Sequence, residues 1–219
     1  AAFCNEFPVR VVASVLGLPR EAQVQFLYWY QSMMSGFGGS DTAKNGLQAR
    51  QDLEDYMEGI VEKRRKKPTF LHDSEGKIIG EDIISMLCRT RIDNDFLSTE
   101  EITSIIALLV GGGGDTTRGA IMNMWYLLLL HSEQLDAIRK ENNLWVAAFQ
   151  ETLRYAVPAG ASQPKHTTFE IEVAGKTIPA GSLVLIMNHS ANRDERVFKS
   201  ADKFDILRRD LHVGKMLRA

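Results

Sequence analysis

Four consecutive glycines inside an otherwise apolar run constrain the fold of this chain more than any other feature. Residues 111–114 follow the apolar residues 108–110 and precede Asp115 and Thr116. A glycine in a helix interior lowers stability by up to about 1 kcal/mol relative to alanine, so four in a row weaken a helix by roughly 3–4 kcal/mol. Some other requirement must therefore demand bare backbone at this place.

The residues on either side of the glycines predict a single long helix. Ser98 and Glu101 have the spacing of a capping box, in which each side chain bonds to the backbone N–H of the other residue. Apolar side chains then recur at helical intervals as far as Leu130. Such an unbroken helix would be about 48 Å long at 1.5 Å per residue.

Three explanations of the glycines compete. A phosphate-binding loop is disfavoured, because no Gly-Lys-Ser/Thr follows and the spacing G-x-G-x-x-G is not met. Close packing against another helix and contact with a broad, flat ligand both stay open from this segment alone. The hydroxyl of Thr116 can bond to the carbonyl of residue 112, and Asp115 lies beside it, so an acid and an alcohol could pass protons next to such a ligand.

The composition is that of an ordinary globular protein and excludes several classes. Of the 219 residues, 44% are hydrophobic and 25% are charged, and the net charge of −2 argues against general nucleic-acid binding. The basic run Lys63–Lys67 is interpreted as a solvated helix end. Cys4 and Cys88 show no metal-ligand spacing. The apolar stretch 119–130 is shorter than the ~20 residues of a membrane span, so no membrane partner is expected.

The pattern of the whole chain predicts a mainly α protein with a small β region. Residues 1–164 are interpreted as the helical part, with a loop over 68–80, and residues 165–190 as the β region because apolar and polar residues alternate there. Residues 191–219 are interpreted as an irregular segment. We expect one domain over 1–219, present in part.

A Glu and an Arg lie three residues apart within the predicted helix 144–156. Glu151 and Arg154 share one helical face, and apolar residues surround them in the sequence. This suggests burial, where a charge pair is costly unless it is fully hydrogen-bonded. We therefore interpret the pair as architectural rather than catalytic.

Five short segments occur in an order that is typical of one known family. They are Pro8-Val9-Arg10-Val11-Val12 with Leu16-Gly17-Leu18-Pro19, Gly112-Gly113-Gly114-Asp115-Thr116-Thr117, Glu151 to Arg154, Thr177-Ile178-Pro179-Ala180-Gly181, and Ala191-Asn192-Arg193-Asp194. In this order they resemble the cytochrome P-450 superfamily, the haem-thiolate monooxygenases, and most of all its soluble bacterial members. The resemblance implies a cytochrome P-450-like fold of which this chain is the middle-to-late portion.

The resemblance also implies roles for the residues of the central helix. Gly112 and Gly113 would lie against the face of haem b, with Leu108 in the apolar lining. Asp115 and Thr116 would be the acid–alcohol pair that delivers protons to dioxygen. The implied activity is hydroxylation of a small, apolar organic substrate in the cytoplasm, with electrons from a ferredoxin-like partner.

Three positions depart from the pattern of that family. Lys165 stands where an arginine usually binds a haem propionate, with His166 as an alternative donor, and Lys203 stands where an arginine usually completes the Glu151–Arg154 network. The cysteine ligand of the iron would lie beyond Ala219. A rival hypothesis is therefore a degenerate, non-catalytic relative or an α-helical binding module without haem.

Overall fold

A computed structural model describes residues 2–36, 40–161 and 164–211. The chain divides into two compact units, Ala1–Arg118 and Gly119–Ala219. The prediction of a mainly α chain with a small β region is confirmed, because helices account for most of the regular structure in both units.

The first unit consists of helices and two short β hairpins. Its elements are α1 (Ala2–Val15), α2 (Ala22–Ser35), α3 (Ser40–Lys66), β1 (Phe70–His72), β2 (Ile78–Glu81), α4 (Ile83–Arg89), β3 (Arg91–Ile92), β4 (Asp95–Phe96) and the beginning of α5 (Thr99–Leu130). The strands pair antiparallel, β1 with β2 and β3 with β4. The helices enclose an apolar core that includes Leu16, Phe26, Leu53, Met57, Ile84, Ile102 and Ile106.

The hairpin β1–β2 corrects the prediction of a loop over residues 68–80. Asp73 makes the turn, because one of its carboxylate oxygens accepts the N–H groups of both Glu75 and Lys77 at 2.9 Å. Gly76 has a φ of +81°, which favours glycine. The strands are short and exposed, so periodicity could not reveal them.

An ion pair connects the basic end of α3 to the start of α4. Arg64 Nε donates to Asp82 Oδ2 at 2.7 Å, and Arg64 Nη2 donates to the Gly17 carbonyl at 2.9 Å. The other oxygen of Asp82 accepts the N–H of Ser85 at 2.6 Å and so caps α4. The predicted solvated helix end is therefore wrong for Arg64, because this side chain bonds to Asp82 and to Gly17. It is also wrong for Arg65, whose Nη2 donates to the Leu97 carbonyl at 2.6 Å.

The second unit continues α5 and adds shorter elements. These are α6 (Ser132–Lys140), α7 (Leu144–Tyr155), β5 (Lys165–His166), β6 (Ile171–Val173), β7 (Lys176–Ile178), β8 (Leu183–Val184) and α8 (Asn188–Ala191). The antiparallel pairs are β5 with β8 and β6 with β7. The core includes Leu127, Leu128, Leu135, Ile138, Ala148, Phe204 and Ile206. Of the helices within the described residues, none is long and apolar enough to cross a membrane.

We expect Asp82→Ala to lower the free energy of unfolding by about 3 kcal/mol, because it removes the cap of α4 and leaves the Arg64 guanidinium without its carboxylate. The exposed Asp55 on α3 provides the control, since Asp55→Ala should change stability by less than about 0.5 kcal/mol. Urea unfolding of both variants checks this, and equal midpoints would contradict the structural role of Asp82.

Candidate functional site

The helix α5 runs without interruption through all four glycines. It spans Thr99–Leu130, 32 residues, as the sequence predicted. The capping box is also confirmed: the Ser98 N–H donates to Glu101 Oε2 at 2.7 Å, and the Glu101 N–H donates to Ser98 Oγ at 3.1 Å. The backbone bond, and then the side-chain bond, lower the pKa of the Glu101 carboxyl. Because the glycines are helical, they do not form a phosphate-binding loop.

The four glycines have different surroundings. A Cβ atom at Gly111 or Gly112 would meet no heavy atom of the described residues within 4 Å, apart from its own helix. A Cβ at Gly113 would lie 3.0 Å from Val12 Cγ2, and one at Gly114 only 2.3 Å from Tyr30 Cζ. The run therefore combines both explanations left open by the sequence, close packing at Gly114 and an accessible backbone at Gly112.

The accessible part of the glycine run lies on a stripe of α5. Leu108, Gly112 and Thr116 are four residues apart, so they follow one another along one face. All three are exposed, and Leu108 is 75% exposed. Gly112 leaves a gap between two exposed side chains, where a flat ligand can reach the backbone. We call Leu108, Gly112 and Thr116 the open stripe.

The hydroxyl of Thr116 is fixed at the end of the open stripe. Its Oγ1 donates to the Gly112 carbonyl at 2.6 Å, which confirms the bond predicted from the sequence. The bond determines the orientation of the hydroxyl hydrogen, and the oxygen lone pairs can accept a hydrogen bond. The open stripe therefore has an oriented alcohol beside accessible backbone.

The carboxylate of Asp115 is paired with an arginine on the same helix. Arg118 Nε donates to Asp115 Oδ1 at 3.0 Å, and Arg118 Nη2 contacts the same oxygen. The side chains of Asp115 and Arg118 are 53% and 41% exposed. Among the described contacts, Asp115 is bonded to Arg118 and not to Thr116. Sequence reasoning missed Arg118, although its spacing of three residues from Asp115 was a usable signal.

Lys165 and His166 lie in the second unit on the short strand β5. They pair with Val184 and Leu183 of β8, and both side chains are exposed. Neither is joined in an ion pair to another residue that the structure describes. A lysine and a histidine in this state could each donate to a carboxylate, so their assignment to a haem propionate stays a prediction.

The pair predicted in α7 is fully buried and bidentate. Glu151 and Arg154 are both 0% exposed. Arg154 Nε donates to Glu151 Oε2, and Arg154 Nη2 donates to Glu151 Oε1, both at 2.8 Å. This planar geometry is the arrangement in which an arginine and a carboxylate bond most strongly.

The remaining bonding capacity of the pair goes to the backbone of the irregular segment after α8. Arg154 donates to the carbonyls of Asn192 and Ala201 at 2.8 Å and to that of Lys203 at 3.0 Å. The N–H of Asp205 donates to Glu151 Oε1 at 2.9 Å. The predicted architectural role therefore has a concrete form, a hub that orders residues 192–205.

The second cation of this network is Arg208, which sequence reasoning missed. Lys203 takes part only through its carbonyl, and its side chain is exposed. Arg208 Nε lies 3.1 Å from Glu151 Oε2, too oblique for a hydrogen bond but close enough for an ion pair, and its side chain is 4% exposed. Burial lowers the pKa of the Arg208 guanidinium, but the carboxylates of Glu151 and Asp210 outweigh it and raise the pKa overall.

We expect Arg208→Gln to destabilise the chain by about 2 kcal/mol, because a buried carboxylate loses one of its two cations. The matched variant Lys203→Gln should change the free energy of unfolding by less than about 0.5 kcal/mol, since the ammonium is exposed. Chemical denaturation distinguishes the two. A larger loss for Lys203→Gln would show that the lysine is the functional cation of the network.

The glycines should respond differently to alanine. We expect Gly112→Ala to raise the free energy of unfolding by about 0.5–1 kcal/mol, because the methyl group enters open space and alanine favours the helix. Gly114→Ala should lower it by roughly 1–3 kcal/mol, because the methyl group overlaps the Tyr30 ring. Urea unfolding gives both values, and the same sign for both would refute the division of the run into an open and a packed part.

Within the described ranges, no group of three or more His, Cys, Asp or Glu residues is arranged to hold a metal ion.

Comparisons with known proteins place the chain in a family. The family model for cytochrome P450 matches residues 18–210. A cytochrome P450 of Bacillus subtilis (strain 168) is 31% identical over 203 residues, which cover 93% of this chain and 47% of that protein. The 6-deoxyerythronolide B hydroxylase of Saccharopolyspora erythraea is 30% identical over 207 residues, which cover 94% of this chain and 48% of that protein.

Solved structures agree with this placement. The crystal structure of CYP109E1 from Bacillus megaterium in complex with corticosterone matches with a TM-score of 0.84 and 28% identity, covering 95% of this chain and 54% of that one. The chain spans about half the length of the curated relatives it matches. Since the family model matches 18–210, far more than half of the residues, this chain belongs to the cytochrome P450 family.

Proposed function

We propose that this chain carries the oxygen-activating helix of a haem-dependent monooxygenase that hydroxylates a small, apolar organic substrate. The observation that carries the proposal is the open stripe, where exposed backbone at Gly112 adjoins an oriented Thr116 hydroxyl. The name of one relative, 6-deoxyerythronolide B hydroxylase, describes an oxygen insertion of the same class and supports the proposal.

The open stripe fits the haem b that members of this family bind. A flat macrocycle can approach a helix backbone where a side chain is missing, and around the place of a Cβ at Gly112 no described atom outside the helix lies within 4 Å. Gly113 contributes less than the sequence suggested, because its missing Cβ faces Val12. Leu108 offers an exposed apolar side chain one turn away. When bound, the haem would supply the iron at which dioxygen is cleaved with electrons from a partner protein.

In this proposal, side chains of the protein transfer the protons that the reaction needs. Asp115 is half exposed, so it can exchange protons with solvent once its carboxylate is released from Arg118. The Thr116 hydroxyl hydrogen is donated to the Gly112 carbonyl, so a relay from the acid to a ligand on the open stripe requires this hydrogen to turn from the carbonyl to the ligand while the Thr116 oxygen accepts from the acid. Arg118 controls the acid, because a carboxylate bonded to a guanidinium cannot donate a proton.

The proposal also includes a source of electrons and a contact for a haem propionate. A ferredoxin-like protein would supply the electrons, and the reaction would take place in the cytoplasm. Lys165 or His166 would neutralise a haem propionate, since both have exposed side chains on β5 that can donate hydrogen bonds. A lysine there would form a single point contact instead of the two parallel bonds of an arginine.

We expect Thr116→Ala, in the haem-loaded full-length protein, to lower the product formed per dioxygen consumed by about tenfold or more and to release hydrogen peroxide. Thr116→Ser keeps a hydroxyl and should retain most of the coupling, and Thr117→Ala controls for an altered helix. Oxygen-electrode and peroxide assays give the ratio. Unchanged coupling in Thr116→Ala would disprove the relay. A full-length protein without a haem absorption band would favour the rival binding module.

A further inference from the structure

Tyr30 on α2 has a buried hydroxyl group without a partner. The residue is 5% exposed, and its phenol oxygen has no hydrogen-bond partner among the residues that the structure describes. Among the described residues of the first unit, no other buried side-chain donor lacks a hydrogen-bond partner. An unsatisfied buried hydroxyl costs on the order of 1–3 kcal/mol, so its retention calls for an explanation.

The phenol of Tyr30 is packed directly onto the glycine run. A Cβ at Gly114 would lie 2.3 Å from Tyr30 Cζ and 2.4 Å from the hydroxyl oxygen. Any other residue at 114 would displace the ring, so the absence of a side chain brings the hydroxyl against the backbone of α5. The next residue along the helix is Asp115, whose carboxylate is bonded to Arg118 in the part of the chain that the structure describes.

The electrostatic surroundings favour the protonated phenol, and the charge of Asp115 contributes to this effect. Burial is the main cause that raises the pKa of Tyr30, the negative charge of Asp115 raises it further, and Arg118 acts in the opposite direction. A protonated phenol can donate a hydrogen bond, and a carboxylate is a strong acceptor. The Tyr30 hydroxyl therefore experiences the opposite charges of Asp115 and Arg118 on α5.

We propose that Tyr30 is a positioning residue for Asp115, whose carboxylate alternates between Arg118 and the Tyr30 hydroxyl. In the arrangement described here Arg118 binds the carboxylate. When the half-exposed guanidinium turns to solvent, the Tyr30 O–H becomes the donor that keeps the carboxylate on the helix surface. This inference rests on the proposed function, because Asp115 is the acid which that function uses.

The alternation would give Asp115 a defined place during proton transfer. A carboxylate released from Arg118 into solvent would lose its orientation relative to Thr116. A hydrogen bond from a rigid, buried phenol would restrict the Asp115 side chain without a second ion pair. Tyr30 thus acts through Asp115 and does not itself reach the open stripe.

The closing experiment is a double-mutant cycle that does not depend on activity. In the full-length protein carrying Arg118→Gln, which removes the competing cation, we expect Tyr30→Phe to lower the thermal midpoint by about 2–4 °C. With Asp115→Ala added, the same Tyr30→Phe should have much less effect. Tyr28→Phe, an exposed tyrosine on the same helix, is the control. Equal shifts with and without Asp115 would overturn the inference.

A second readout follows the phenol itself. Carbon-13 labelling of the tyrosine ζ position gives the titration of Tyr30, assigned by its loss in Tyr30→Phe. We expect Asp115→Ala to lower the pKa of Tyr30 and Arg118→Gln to raise it; an unchanged titration in Asp115→Ala would overturn the inference. If the cycle shows an interaction between Tyr30 and Asp115 but Thr116→Ala forms as much product per dioxygen as the wild type, only the relay is rejected. If the cycle shows no interaction but Thr116→Ala forms less product per dioxygen, only the role of Tyr30 is rejected.

Discussion

The order of the second unit depends on one buried ion pair, Glu151 with Arg154. Two charges with no exposure are costly to bury, and the cost is offset only when every donor and acceptor finds a partner. Here the pair is bidentate, and the excess donors of Arg154 bond to three carbonyls of residues 192–203. That segment has little regular secondary structure, so its backbone groups need partners from elsewhere. The pair and the irregular segment therefore stabilise each other: neither would be satisfied alone.

The first unit uses the same physical device on a smaller scale. Arg64 and Asp82 form a pair whose remaining groups bond to the Gly17 carbonyl and to the first turn of α4. A charge run in a sequence does not show which of its members has a distant buried partner. In the run Lys63–Lys67, only the fold shows that Arg64 pairs with Asp82, 18 residues away, and that Arg65 donates to the Leu97 carbonyl, 32 residues away.

Local interactions account for what the sequence could predict. The capping box at Ser98, the limits of α5 and the bond from Thr116 all join residues within four positions of each other, where helix geometry determines who meets whom. The contacts that bring Arg208 to Glu151 and Tyr30 to Gly114 join residues distant in sequence, and no periodicity encodes them. The hairpin β1–β2 depends on the hydrogen bonds of its turn and not on an apolar core. A pattern of apolar residues therefore predicts a loop at this place.

The glycine run illustrates why a single glycine would not suffice in α5. Gly112 and Gly114 are two residues apart, which is about 200° of rotation around an α-helix. One therefore lies on the open stripe and the other against the ring of Tyr30. A side chain at 112 would cover the accessible backbone, and one at 114 would displace the phenol ring of Tyr30. At this point neither of these two sides of the helix carries a side chain. The open stripe and the ring of Tyr30 therefore lie on different sides of the same part of α5, next to Asp115 and Thr116.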